Sequence, residues 1–592
     1  MMKLSAALLA SLLAATTALG AAPAVAASAP DLEREVAPVA AAALPTRTEA
    51  LDAAATALDY FYANDGGATA NDGWRWTPFF MGAEALYRET GNAKYRSWIQ
   101  SWGDRNRWLA STPATPTSNP DSRAAMQVWY DAVADGVTVD LVPSDELMAA
   151  DLAVPAPTYW WIDALFMGLP LWPRWEERTG DPAYAAKHAE FYTYLKTQGA
   201  TSWRPGCPNT GLFDETEDLW WRDCKYVPER DALGNKVFWS RGNGWTLAAL
   251  ARTLMVLPPT DPQYAEYRSM MQRMSARVAE LQGPDGMWRT NLLSPSLHPA
   301  PETSGTALFT YAMAHGIRTG VLDRATYLPV VTKAWAGLTE VGLTESGFVS
   351  NCQLVAEAPG NPSTTTSIAY CVGAFALAAV EMAKLGDVLA SDAFTRTGTN
   401  GLGTAATGGV WTMPSNPASY AVNAGRARIS TPAGTTRNAF QSGVSSVRTD
   451  LRATVSFGRP TLGSAYVGVQ GRRVGESDYS GRVVVNPTGA MRLQLRRTDA
   501  TLATAAVPHI TYAAGDRLTL RLQVVGTSPT TLRAKVWRAG TAEPAGWQLT
   551  ATDSTAALQG PGAIALTTYL SAAGRPNTLG VTFDDVSARR SG

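Results

Sequence analysis

Histidine is nearly missing from this chain, with His188, His298, His315 and His509 the only four among 592 residues. No GxSxG elbow and no P-loop occurs, so Ser–His–Asp acyl transfer and P-loop phosphate chemistry have no motif to rest on. Cysteine is equally sparse, at four residues without a CxxC spacing, which argues against a zinc site. Charge of one sign is lacking too. The formal net charge of -1 provides no basic field for nucleic acid. Past the N-terminal leader, no segment reads as long and apolar enough for a membrane helix, so no membrane contact is expected once the leader is removed. These absences leave carboxylates as the acid/base groups.

Tryptophan is abundant. There are 20, and all but Trp411, Trp537 and Trp547 precede residue 390. Core packing absorbs several, but so many in one segment favour an aromatic-lined groove. Sugars present C–H faces that stack on indole rings, and the indole N–H supplies a polar handle.

The chain divides into four segments. Residues 1–27 read as a signal peptide, with Lys3, a short apolar run from Leu8 to Leu19 and small residues Ala24 to Ala27. A secreted, extracellular protein follows as the expectation. Residues 28–44 are an Ala/Pro-rich linker. Residues 45–388 carry helical periodicity, as at Leu51, Ala55, Leu58 and Phe61. Within them Thr90-Gly91-Asn92 echoes Thr179-Gly180-Asp181 and Thr260-Asp261-Pro262, and glycine turns precede Leu212, Met287 and Phe348. Repeating helix-turn-helix units that are irregularly spaced suggest a closed α/α toroid rather than an open solenoid. Residues 391–592 are rich in Gly, Thr, Ser and Val, with alternating runs such as Leu518 to Val524. They read as an all-β, jelly-roll-like sandwich, either a carbohydrate-binding module that contacts polysaccharide or a structural appendage. Export permits disulfides. The cysteines allow three pairings that sequence does not separate, and the nearest-neighbour one, Cys207–Cys224 with Cys352–Cys371, is the expectation.

Three clusters carry candidate chemistry. Tyr159 to Met167 surrounds Asp163 with aromatic and apolar residues. Desolvation there should raise its pKa, which suits a general acid; the competing role is a helix N-cap. Phe238 to Trp245 combines Arg241, able to pair with a carboxylate, Trp239 and Trp245, able to wall a sugar, and two glycines around Asn243 that permit a tight turn close to a ligand. Asn119-Pro120-Asp121, followed by Gln127 and Trp129, is by itself a common N-cap pattern.

In this order, Trp161 to Met167, Phe238 to Trp245, Pro301 to Ala307 and Tyr370 to Phe375 resemble the unsaturated rhamnogalacturonyl hydrolases of glycoside hydrolase family 105, related to the unsaturated glucuronyl hydrolases of family 88. The resemblance covers about residues 45–388, and the Trp-Ser-Arg-Gly-Asn-Gly-Trp run is its most specific part. It implies an (α/α)6 barrel, no cofactor, and a substrate oligosaccharide ending in a 4,5-unsaturated uronic acid. It implies Asp163 as general acid/base in hydration of the C4=C5 bond, Asp121 as the second active-site aspartate, Arg241 and Trp245 on the uronate, Trp161 in the pocket wall, and Gln127, Trp239 and Asn243 around the sugar. Many members carry a histidine after the Gly-Leu turn. Here Asp214-Glu215 and then Leu219 to Asp223 stand instead, so Arg222 and Asp223 are expected to replace its contacts. Two other readings stay open: a polysaccharide lyase on a related toroid, and a sugar-binding protein without activity.

Overall fold

The computed structural model describes residues 44–110, 119–199, 207–208, 210–414 and 416–591. The signal-peptide and linker readings fall on residues outside this set, apart from Leu44. Helices occupy the first part: α1 Arg47–Asn64, α2 Thr77–Thr90, α3 Ala93–Arg105, α4 Pro120–Arg123, α5 Met126–Ala134, α6 Val142–Asp151, α7 Asp163–Met167, α8 Leu171–Thr179, α9 Ala183–Thr197, α10 Ser240–Leu254, α11 Tyr264–Glu280, α12 Thr303–Thr319, α13 Arg324–Gly337 and α14 Ala369–Gly386.

Local signals place the helix ends. Thr46 caps α1 in a capping box with Glu49. Gly91 and Gly180, both in the left-handed region, stop α2 and α8. Asn92 caps α3 through its side chain. The echoed Thr-Gly-Asn/Asp segments are thus the turns between helices.

Contacts close a ring. The α2, α5, α8/α7, α10, α12 and α14 segments pack each on the next, and α14 returns to α2. The ring helices α10, α12 and α14 are buried along almost their whole length, whereas α1, α3, α9, α11 and α13 each bury one face against the ring. This is the expected α/α toroid. Close approach of ring helices requires glycine: a Cβ on Gly373 of α14 would lie 2.1 Å from the Pro78 carbonyl carbon of α2. By length and hydropathy α14 is apolar enough to cross a membrane, which corrects the expectation that no such segment follows the leader. It is instead the buried core helix of the ring, flanked by α1, α2 and α12.

One short antiparallel strand pair, Phe213–Asp214 with Leu219–Trp220, lies within the helical part, and the strands of the second part begin at Val388. A six-stranded antiparallel sheet runs in the order Ala500–Ala506, Met491–Arg497, Ser477–Val485, Ala465–Val474, Gly562–Leu570, Thr435–Ser446. A nine-stranded sheet packs on it, and Val467, Val483 and Leu493 of the first meet Leu520, Leu522 and Leu532 of the second in one apolar core. The helical core, from Ala50 to Leu385, is a separate cluster. The disulfides are Cys207–Cys224 and Cys352–Cys371, the expected pairing. They are compatible with an extracellular protein.

Candidate active site

Asp163 is the first residue of α7. Ile162, not Asp163, occupies the N-cap position, and no side chain caps this helix. The carboxylate is therefore free of the structural task that competes with catalysis. It is about nine-tenths buried, and its Oδ1 has no hydrogen-bond partner among the described residues. Leaving a buried carboxylate oxygen unpaired is costly, and such an atom is retained where a ligand or a proton meets it. Burial pushes its pKa above the ordinary carboxylate value, against the pull of Arg222 and Arg241.

Arg222 is the cation facing it, with Nε 3.5 Å from Asp163 Oδ2. Nη1 of the same guanidinium donates to Asp223 Oδ2 at 2.6 Å, and its plane lies over Trp160, 5.1 Å from the ring centre. The Nε is itself buried without a hydrogen-bond acceptor in good geometry. Backbone pairing holds this arrangement: Ile162 N–H donates to Arg222 O, and Trp161 bridges Asp223. Asp121, on α4, is half-buried. Its pKa is pushed up to about 7, first by desolvation, then by repulsion from Asp163, with Arg222 opposing. Two carboxyls in mutual repulsion beside one guanidinium favour holding a proton near neutrality. Trp161 is nearly buried and packs on Trp160 at 4.4 Å.

The remaining side chains expected around the sugar are spent inside the protein. Gln127 is fully buried; its amide N–H groups donate to Phe166 O and Met167 O at the end of α7, and its carbonyl accepts from Arg252. Asn243 accepts from Trp220 N–H and donates to Trp220 O and Trp239 O, so it pins the strand that leads to Arg222. Arg241 donates to the carbonyls of Gln353 and Leu354, sandwiched between Trp239 at 4.4 Å and Tyr370 at 4.9 Å. Trp239 donates its indole N–H to Gln353 Oε1, and Trp245 is wedged between Phe166 and Tyr370. In this structure these five side chains are held by partners inside the protein. The two glycines around Asn243 form no turn. Ser240 to Trp245 is already the first part of α10, and a Cβ on Gly244 would sit 3.0 Å from Leu308 Cβ of α12. Helix packing, not ligand approach, requires glycine there.

Sequence reading passed over the segment 351–358. Gln353 joins Arg241, Trp239 and Tyr370 by hydrogen bonds, and Glu357 reaches Lys225 at 3.0 Å and Arg222 at 4.0 Å. The Cys352–Cys371 pair was the one visible signal, since it ties this segment to the start of α14. The two residues expected in place of the family histidine lie together. Arg222 and Asp223 are at Asp163, whereas Asp214 is bonded to Lys236 and Thr216, and Glu215 to Arg273. Among the described residues no histidine is bonded to this group: His188 bonds Tyr267, His298 bonds Asn361 and His315 bonds Arg318.

Residues 59–386, more than half of the chain, match Glycosyl Hydrolase Family 88. The chain belongs to that family. It is similar to an unsaturated 3S-rhamnoglycuronyl hydrolase of Formosa agariphila, 35% identical over 233 residues. That match spans 38% of this chain and 58% of the relative, so the chain covers little more than half of the relative's length. A family 88 glycosyl hydrolase structure from Bacteroides vulgatus is 28% identical at a TM-score of 0.53, covering 58% of this chain and all of that one. A solved structure named a polysaccharide lyase is 29% identical at a TM-score of 0.51, covering 57% of this chain and 97% of that one. The family match covers the helical part of the chain, and the β-sandwich lies outside the matched region.

Proposed function

We propose that this chain releases a terminal 4,5-unsaturated uronic acid from an oligosaccharide by hydrating its C4=C5 double bond, with Asp163 as general acid and base. The observation that carries the reading is the unspent, buried Oδ1 of Asp163 beside the Arg222 guanidinium. Burial raises its pKa and so favours the protonated carboxyl, the form that delivers a proton to C4. Positive charge then develops at C5 and the ring oxygen, next to the carboxylate that has just formed. Water adds to C5 and returns a proton to Asp163. The hemiketal opens by breaking the bond from C5 to the ring oxygen, leaving a C5 ketone. The C1 hemiacetal so exposed expels the aglycone as an alcohol and becomes an aldehyde. One water is consumed, and the enzyme ends as it began. A single carboxyl serves both proton transfers, so the nucleophile–acid pair of retaining glycosidases is not needed. Arg222 takes the substrate carboxylate or balances Asp163, and Asp121 shares the proton.

The lyase-named relative supports a second reading, in which a base removes the C5 proton of an intact uronate. Ultraviolet absorbance of the unsaturated uronate separates the two, because a hydrolase makes it fall and a lyase makes it rise. Unsaturated rhamnoglycuronyl, other uronyl and glycosaminoglycan-derived oligosaccharides form the panel, the first chosen from the Formosa relative's name. The expected result is a fall that Asp163→Asn reduces by roughly 10²–10⁴-fold, the usual worth of a general acid. An Asp163→Asn variant of undiminished rate would overturn the mechanism, and binding without turnover of any substrate would favour a sugar-binding protein.

A further inference from the structure

The six-stranded sheet has two faces, and only one is needed for the core. Along Ala465–Val474 and Ser477–Val485, Val467, Val469 and Val483 point into the sandwich, and the intervening residues point away. On a plain appendage that outer face would be an evenly solvated polar surface. Here it forms a groove of about 570 Å³. Tyr466 and Tyr569 stand side by side on paired strands, ring centres 5.4 Å apart. Arg482 covers Tyr466 at 4.5 Å. Its stem fits only because Gly468 is opposite on the neighbouring strand, where a Cβ would come within 2.5 Å of Arg482 Cβ.

The polar groups here are unfinished in a patterned way. Gln470 Oε1 and Asp478 Oδ1 line the groove, on side chains more than nine-tenths buried, and neither has a hydrogen-bond partner among the described residues. Both are acceptors waiting for donors. Arg482 and Arg496 also line it, and neither makes an ion pair among the described residues; Arg482 Nε reaches only the Gln494 amide, and Arg496 only Thr498 O and Thr501 Oγ1. Burial, with Arg496 adding repulsion, brings the Arg482 pKa down to about 10 against the pull of Asp478. Hydroxyl donors, an anionic group and flat C–H faces on one ligand answer all three demands together.

We propose that this groove is a second carbohydrate site, which binds a saccharide carrying an anionic substituent, a uronate carboxylate or a sulfate ester. Tyr466 and Tyr569 take sugar faces, Arg482 and Arg496 take the anion, and Gln470 and Asp478 take hydroxyls. The site is built without residues of the helical ring, so it stands independently of the catalytic reading.

Affinity gel electrophoresis tests it, using the full chain carrying Asp163→Asn and gels containing polygalacturonate, dextran sulfate or neutral dextran. Retardation is expected in one or both anionic gels and not in dextran, and the gel that retards identifies uronate or sulfate as the anion. Tyr466→Ala and Arg482→Gln should each weaken binding about tenfold, with Tyr466→Phe retaining it. Arg492→Gln removes an exposed charge from the same sheet outside the groove, and should leave binding unchanged. Thermal melting confirms that each variant is folded. No retardation in any gel, equal retardation in dextran, or equal loss from Arg492→Gln and Arg482→Gln would overturn the proposal.

Discussion

Replacing Arg222 by Gln tests how Asp163 is tuned. The guanidinium Nε is 3.5 Å from Asp163 Oδ2. At that distance a unit pair is worth about 5 kcal/mol for an effective dielectric near 20, and about 1 kcal/mol for one near that of water. The Arg222 side chain retains some solvent contact, so the lower part of that range applies, and each 1.36 kcal/mol is about one pKa unit. Removing the cation therefore withdraws about 1 kcal/mol or more of stabilisation from the ionised carboxylate, which raises the Asp163 pKa further, and leaves Asp223 facing it as an added negative charge. Because the proposed acid must be protonated, the alkaline limb of kcat/KM moves to higher pH by the same amount. KM should rise as well if the guanidinium meets the substrate carboxylate. The assay is the loss of unsaturated-uronate absorbance, followed across pH for the unchanged chain, Arg222→Gln and Arg222→Lys. Lys, which keeps the charge, should return the limb toward its original position. A limb that stays in place or moves to lower pH in Arg222→Gln would refute the assignment of that ionisation to Asp163.

Three further outcomes are expected. Asp121→Asn should stabilise the fold at pH 8 by up to about 4 kcal/mol and hardly at all at pH 4, read as Tm in each buffer. The sign follows from a folded pKa raised to about 7 over an unfolded value near 4: the folded carboxyl opposes its own ionisation, so a penalty grows as pH climbs through that window, and Asn carries none. An unchanged Tm difference across that range would sink this account. Gly373→Ala should cost about 3 kcal/mol in urea unfolding, because its Cβ meets the Pro78 carbonyl at 2.1 Å in backbone that cannot rotate away. Cys352→Ser with Cys371→Ser opens a cross-link between residues 19 apart, which should cost about 3 kcal/mol and raise KM, since Gln353 is next to Cys352 and anchors Arg241 and Tyr370.

Periodicity and caps made the fold legible. Apolar spacing located α1, α11, α12 and α14 to within a few residues, and Thr46, Asn92, Gly91 and Gly180 do at the helix ends what their chemistry predicts. The stretch from Tyr159 to Gln198 reads as continuously helical, yet it divides into α7, α8 and α9 at Gly168 to Pro170 and at Gly180-Asp181-Pro182, where the turn signals outweigh the apolar periodicity. Asp163 was visible as a carboxyl among aromatics, and its freedom from capping was not, because a cap is decided by the backbone angles of Ile162. The Glu357 contact with Lys225 was invisible, since it joins residues 132 apart through a loop with no periodic pattern.

The most recognisable run in the sequence, Trp239 to Trp245, is therefore recognisable for a structural reason. Each member is constrained by several partners at once: Asn243 by the backbone of Trp220 and Trp239, Arg241 by two carbonyls and two rings, and Gly244 by Leu308. A residue so constrained tolerates no other side chain, whatever the sugar bound. Arg222 and Glu357 instead lie on irregular segments and keep solvent contact. Differences in substrate choice among toroids of this kind should accordingly lie in segments 219–225 and 351–358, and exchanging those segments should change which unsaturated oligosaccharide is consumed while leaving Asp163 and its buried supports intact.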